Sequence, residues 1–161
     1  MFLKVAKASY ALNGFPVRKQ DFLVGDFFAK ISYLKKAGER FDCVFLDPPF
    51  FATGQGGTVD LVKDGARLIN KVRPLIADGG CLVTISNALF VSGQTYLETL
   101  TALGADGYLT IAELIPVPPD FTGYPETRVG SPITDPAPFN HATKIAVLNV
   151  RRKEYINPVA R

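Results

Sequence analysis

The sequence predicts an α/β fold: a mostly parallel sheet with helices on both faces and an antiparallel final strand. Three observations predict it. Short apolar runs alternate with stretches of helical periodicity, the pattern of successive βαβ units. Two of the runs, "DCVFLD" (42–47) and "CLVTIS" (81–86), are almost wholly apolar, as strands covered on both faces are. The last two runs have no helix between them, only residues 116–143, which hold seven of the twelve prolines. A strand returning from such a connection beside its predecessor runs antiparallel to it.

The elements follow in order. Residues 2–12 read as a helix, with Leu3, Ala6, Tyr10 and Ala11 near one stripe and Asn13-Gly14 as the stop. "DFLVG" (21–25) reads as a short strand and 26–36 as a helix. The strand 42–47 comes next. Over 58–77, Val62, Ala66, Ile69, Val72 and Ile76 keep one helical face, Pro74 disturbs the last turn, and Gly79-Gly80 ends the segment. Strand 81–86 precedes a helix over 94–104, closed by Gly104. Strands 108–115 and 144–152 finish the sheet.

The chain has 161 residues, 47% hydrophobic and 20% charged, which suits one domain with a sizeable core. Its mean hydropathy, +0.14, is high. Even so, no apolar run reaches the roughly 20 residues a bilayer requires, and no signal peptide is visible. The reading is a cytoplasmic protein with no membrane partner. The net charge of +3 permits a phosphate-rich partner without demanding one; Arg151, Arg152 and Lys153 are the main basic cluster. Cys43 and Cys81 lie inside apolar runs and read as buried reduced thiols. With one histidine, His141, and no CxxC, no metal site is expected.

The stretch that carries chemistry is "FDCVFLDPPFFA" (41–52). In an open parallel sheet, ligands bind at the carboxyl ends of the strands, and Asp47 stands at such an end. Pro48 and Pro49 fix φ and remove two N–H donors. The turn therefore presents acceptors only, the Asp47 carboxylate and backbone carbonyls, followed by the flat ring of Phe50. A planar ring bearing an amino group suits that arrangement: it stacks on Phe50 and donates to the carboxylate. The competing reading is a plain strand-to-loop turn with Phe50 tucked into the core.

At this point the chain resembles the carboxyl-terminal two-thirds of a class I S-adenosylmethionine-dependent methyltransferase, with a Rossmann-like fold. "FDCVFLDPPF" looks like that family's motif IV, "NGF…DFLVGDFF" like its third strand and motif III, and "LIADGGCLVTIS" like the helix–GG–strand before motif VI. "FNHATKIAVLNVRRK" is similar to the ending of the ribosomal RNA cytosine-5 methyltransferase group. The resemblance spans nearly all of 1–153, a partial catalytic domain followed by a tail at 154–161. It implies S-adenosyl-L-methionine as cofactor and RNA, ribosomal RNA in particular, as substrate. It implies that Asp26 accepts from the adenine amino group with Phe27 beside the ring, although Asp26 also reads as a helix cap. Asp47, Pro48, Pro49 and Phe50 would line the place where methyl donor meets acceptor, with Asp47 also toward the cofactor. Asn87 offers a substrate hydrogen bond or simply terminates its strand.

Two departures qualify the resemblance. The opening strand, glycine-rich turn, helix and second strand are not found in this sequence, so "CVFLD" is expected to be an apolar edge. An amino-terminal fragment or a second copy would then cover it. Cytosine-5 methylation also needs an attacking thiolate, and where the related family places a cysteine this chain reads Ser86-Asn87-Ala88. The Asp-Pro-Pro-Phe form points to an amino-group acceptor instead. The alternative is a non-catalytic remnant or RNA- or protein-binding subunit. A small hydrolase is disfavoured, since no Gly-x-Ser-x-Gly elbow is present.

Overall fold

The computed structural model describes residues 2–54, 57–124, 126 and 130–153. The expected tail, 154–161, lies outside the described residues. The elements are α1 (Phe2–Leu12), α2 (Phe27–Lys36), β1 (Phe41–Leu46), β2 (Phe51–Gly54), β3 (Gly57–Asp60), α3 (Leu61–Val72), β4 (Ile76–Ser86), α4 (Gly93–Leu103), β5 (Leu109–Ile115), α5 (Pro119–Thr122) and β6 (Lys144–Val150). Single 3-10 turns cover Lys19–Asp21 and Arg73–Leu75.

Four strands form the main sheet in the order β1-β4-β6-β5. β1 pairs parallel with β4, and β6 is antiparallel to both β4 and β5. β1, β4 and β5 thus share one direction, and the final strand enters between β4 and β5 against them, antiparallel as expected. Strand alternation assigns the faces. Leu46 of β1, Leu82 of β4, Ala146, Leu148 and Val150 of β6 and Leu109 of β5 join Ile31 of α2, Leu68, Ile69 and Val72 of α3 and Leu100 of α4 in one buried cluster. The opposite face carries Cys43, Phe45, Cys81, Val83, Ile145 and Val147. β1 is an edge strand, as expected, and Phe45 on it is 72% exposed.

Three expectations needed correction. "DFLVG" is not a strand: Asp21 closes a 3-10 turn, Gly25 adopts φ +147°, and Leu23 and Val24 are exposed. A short apolar run does not hold strand geometry without a ladder partner. The segment read as helix from 58 instead begins as one arm of a hairpin, β2–β3, with Phe51 opposite Asp60. α3 starts at Leu61 because Asp60 Oδ1 accepts from the Val62 amide at 3.0 Å, while Asp64 Oδ2 accepts from the Asp60 amide at 3.0 Å. That reciprocal cap fixes the boundary, and the Asp60 amide with Arg67 holds the Asp64 carboxyl below its usual range. Third, Gly79-Gly80 lies within β4 rather than before it. The register jumps from Phe41↔Ile76 to Cys43↔Cys81. A Cβ on Gly80 would stand 2.7 Å from the Asp42 carbonyl oxygen, so only glycine lets the strands approach there.

The proline-rich connection is tied down at several points. Gly93 N donates to Asp135 O at 2.9 Å, and Thr134 Oγ1 to Leu89 O at 2.9 Å. Asn140 brackets one residue, accepting from Val117 N at 2.9 Å and donating to Val117 O at 2.8 Å. A Cβ on Gly93 would fall 1.8 Å from Pro136 O. Because that obstacle is backbone, Gly93→Ala should cost about 2 kcal/mol by overpacking, read as a lowered urea midpoint with an unchanged slope.

Buried Tyr96 shares a 3.0 Å hydrogen bond with Thr84 and packs on Phe139 at 5.7 Å between ring centroids. Burial, against the partial relief of the Thr84 bond, pushes the Tyr96 phenol from 10.0 to about 12. The folded state therefore keeps this proton longer than the unfolded chain. Its stabilisation is fully present below pH 10 and is lost as pH rises to 12. The loss approaches ~2–3 kcal/mol at the top of that window. Alkaline denaturation of Tyr96→Phe should lack that decline, after an initial cost of about 1 kcal/mol for the unpartnered Thr84 hydroxyl.

Candidate active site

β1 and β4 run side by side, with Leu46 opposite Thr84, so both end at the same edge of the sheet. Asp47 follows the first strand and Asn87 the second. Asn87 Nδ2 donates to Asp47 Oδ1 at 3.2 Å, and Thr143 Oγ1 donates to Asn87 Oδ1 at 2.9 Å. The amide is thus oriented by Thr143, and its N–H is aimed at the carboxylate. Beneath it, the Lys144 ammonium is wholly buried and donates to Ala88 O at 3.0 Å and Ala142 O at 2.8 Å. That ammonium ties the loop after β4 to the entry of β6. Burial lowers its pKa below 10.5.

Pro48 is half-buried; Asp47, Pro49 and Phe50 are exposed. Phe50 O accepts from the Leu61 amide at 3.0 Å, which anchors the turn to the start of α3. The Phe50 ring is 38% exposed and lies 6.3 Å from Phe90, tilted by 54°. The core position considered for Phe50 is therefore not the one it takes.

Asp26 and Phe27 are outside this network, at the head of α2. Asp26 caps that helix, its Oδ1 accepting from Ala29 N at 3.0 Å. Phe27 leans on the core and meets Phe28 edge to face at 5.2 Å. Because α2 leads by a short turn into β1, its head is at the same end of the sheet as Asp47. Carboxylates there suit a cofactor with an amino-bearing ring and a sulfonium cation.

The cysteines are not both buried. Cys43 is exposed and Cys81 half-buried, because they face each other across β1 and β4 on the open face of an edge strand. A hydrogen bond to Cys81, then burial, pushes the Cys43 thiol up. Neither thiol reaches the strand ends that carry Asp47 and Asn87. The basic cluster follows β6, at the opposite end of the sheet; Arg151 Nε pairs with Asp78 at 3.0 Å. The Arg151 and Arg152 contacts hold the Asp78 carboxyl low.

Thr143, Lys144 and Asn140 are site or scaffold residues the sequence reading missed. One signal was available for Lys144: it shares the parity of Ala146, Leu148 and Val150, the core-facing side of its strand. His141 has a local role, its Nδ1 accepting from the Thr143 amide at 3.1 Å. Among the described residues no cluster of three or more His, Cys, Asp or Glu could hold a metal ion, and no helix is long and apolar enough to cross a membrane.

This geometry agrees with comparisons to known proteins. The chain is 30% identical over 130 residues to ribosomal RNA large subunit methyltransferase I of Aeromonas salmonicida, covering 77% of this chain and 33% of that protein. It is 29% identical over 122 residues to a putative ribosomal RNA large subunit methyltransferase, YwbD, of Bacillus subtilis, covering 73% and 31%. Ribosomal RNA large subunit methyltransferase K/L of Psychrobacter arcticus is 39% identical over 83 residues, 48% of this chain and 10% of that protein. The chain thus spans between about a tenth and a third of the length of these relatives. The solved structure of SMU.776, a putative methyltransferase complexed with SAH, superposes with a TM-score of 0.70 at 19% identity, over 89% of this chain and 35% of that one. It shares the Rossmann-like fold. A family description, S-adenosylmethionine-dependent methyltransferase, matches residues 2–129, and the chain belongs to that family.

Proposed function

We propose that this chain carries the acceptor side of a domain, residues 1–153, that transfers a methyl group from S-adenosylmethionine to a base of RNA, ribosomal RNA in particular. One observation carries the reading: Asp47, on a donor-free Pro-Pro turn, is held by Asn87 at the carboxyl edge of the sheet. The cofactor supplies an already activated methyl group, so the protein's work is alignment and proximity. Asp26 and Phe27 would hold its adenine end. The Asp47 carboxylate accepts an N–H from an acceptor amino group and orients the nitrogen lone pair. Phe50 supplies an apolar plate beside it. The absence of a thiol at Ser86-Asn87-Ala88 favours an amino-group acceptor over ring carbon. The names of the relatives support RNA as the substrate, and a substrate of that kind fits a cytoplasmic protein.

A second reading is a non-catalytic RNA- or protein-binding subunit. The exposed Phe45 on the open face of β1 offers an apolar contact surface that suits it. Titration calorimetry with S-adenosylmethionine, followed by transfer of labelled methyl to ribosomal RNA, separates the two. Binding heat with methylated RNA supports the enzyme. RNA binding without cofactor heat in the folded chain supports the subunit.

A further inference from the structure

The two cysteines of the chain meet across neighbouring strands. Cys43 of β1 is paired directly with Cys81 of β4 in the parallel ladder, so both side chains leave the same face of the sheet. That face is turned away from the buried cluster. Cys43 is exposed and Cys81 half-buried, and the two thiols are within hydrogen-bonding reach of each other. Neither takes part in the network of Asp47, Asn87 and Thr143.

The backbone brings the strands close at this point. Neighbouring strands run about 4.8 Å apart, inside the span of roughly 4.4–6.8 Å between Cα atoms that a disulfide bridges. The residues just before the cysteines are packed tightly against each other: a Cβ on Gly80 would stand 2.7 Å from the Asp42 carbonyl oxygen. The ladder is irregular between Phe41 and Cys43, and β1 lies at the edge of the sheet order. An edge strand with a local irregularity adjusts its backbone more freely than a central one. The sulfurs can therefore come to bonding distance without rearranging the sheet.

We propose that Cys43 and Cys81 are a modification site: they form a reversible disulfide with each other by exchange with a low-molecular-weight disulfide of the glutathione class, and the bond locks edge strand β1 to β4. The exposed Cys43 meets the oxidant first. Its thiolate attacks one sulfur of the small disulfide, that S–S bond breaks, and one small thiolate leaves a mixed disulfide behind. The Cys81 thiolate then attacks Cys43 Sγ, the mixed bond breaks, and the second small thiolate leaves. The two protein thiols together lose two electrons, the small disulfide gains them, and the two thiol protons end on the two departing thiolates. In a reducing compartment such bonds are transient and follow the redox state, and an exposed one stays within reach of reductants. The inference is independent of the methyl-transfer reading. It bears on that site by position, since the strands it joins are the ones that deliver Asp47 and Asn87.

The test treats the folded, fully reduced chain with millimolar glutathione disulfide at mildly alkaline pH, where more of each thiol is ionised. Both free thiols should disappear, the intact mass should fall by about 2 Da, and peptide mapping should link Cys43 to Cys81. Closing residues 44–80 into a loop should raise Tm by roughly 10 °C, and dithiothreitol should restore the original value. In Cys81→Ser the reaction should stop at the mixed disulfide on Cys43, a gain of about 305 Da. Both thiols surviving in the wild-type chain would overturn the proposal. So would a wild-type reaction that stops at the glutathione adduct, a bond formed between two chains, or a bond that forms only in denaturant or lowers Tm. The wild-type mass, map and Tm decide the matter even where Cys81→Ser does not fold.

Discussion

Asp47→Asn should lower methyl transfer to RNA by about a hundred- to a thousandfold, mainly in kcat. In the proposed mechanism the carboxylate accepts from the nucleophilic amine and fixes it, and removing one preorganised polar partner at a reacting centre typically costs that much. The asparagine side chain keeps the shape but turns one acceptor into a donor, which would face either Asn87 Nδ2 or the acceptor amine. Asn87→Ala removes the 3.2 Å hydrogen bond that orients the carboxylate and should cost about tenfold. Thr143→Val, which frees the Asn87 amide to rotate, should act in the same direction, and Thr143→Ser should restore the rate because it keeps the hydroxyl that donates to Asn87. Single-turnover transfer of labelled methyl to RNA measures all four. Wild-type kcat in Asp47→Asn would remove Asp47 from the mechanism.

Lys144→Ala should destabilise the fold by about 3 kcal/mol, since it empties a fully buried site and leaves the Ala88 and Ala142 carbonyls without their donor. For a chain of this length that lowers Tm by roughly 6–12 °C. Lys144→Met keeps most of the volume and removes the buried charge, so it should cost less than Lys144→Ala. The pH dependence identifies the ammonium. Burial lowers its pKa in the folded state, so between that value and 10.5 the unfolded chain holds more protons and stability rises with pH. Lys144→Met should lack this rise. A Lys144→Met chain with the wild-type slope would show that the trend comes from another group. Above pH 10 the Tyr96 phenol reverses it, so wild-type stability should peak on the alkaline side.

These two residues mark how far local sequence reaches. Asp47 was legible because its signal is contiguous: an apolar strand, a carboxylate, two prolines and a ring. Lys144 was not, because its partners are the carbonyls of Ala88, far away in sequence, and Ala142. Asn87 was noticed as a strand terminator or a substrate contact. Its actual bonds, to Asp47 and Thr143, join residues 40 and 56 positions away.

The sequence by itself determined the helices α1, α2 and α4, the four strands of the main sheet and the end at which Asp47 emerges. Periodicity and turn residues are local, and the alternation of elements fixes which strand ends share an edge. Tertiary structure alone decided the rest. "DFLVG" stayed unpaired because a strand depends on its neighbour. Gly79-Gly80 became part of β4 because the Asp42 carbonyl of the next strand comes so close. β6 entered between β4 and β5, and that brought Thr143 and Lys144 beneath Asn87. The meeting of Cys43 and Cys81 is likewise a product of strand pairing: each lies in an apolar run of its own, and only the register of β1 on β4 puts the two thiols side by side.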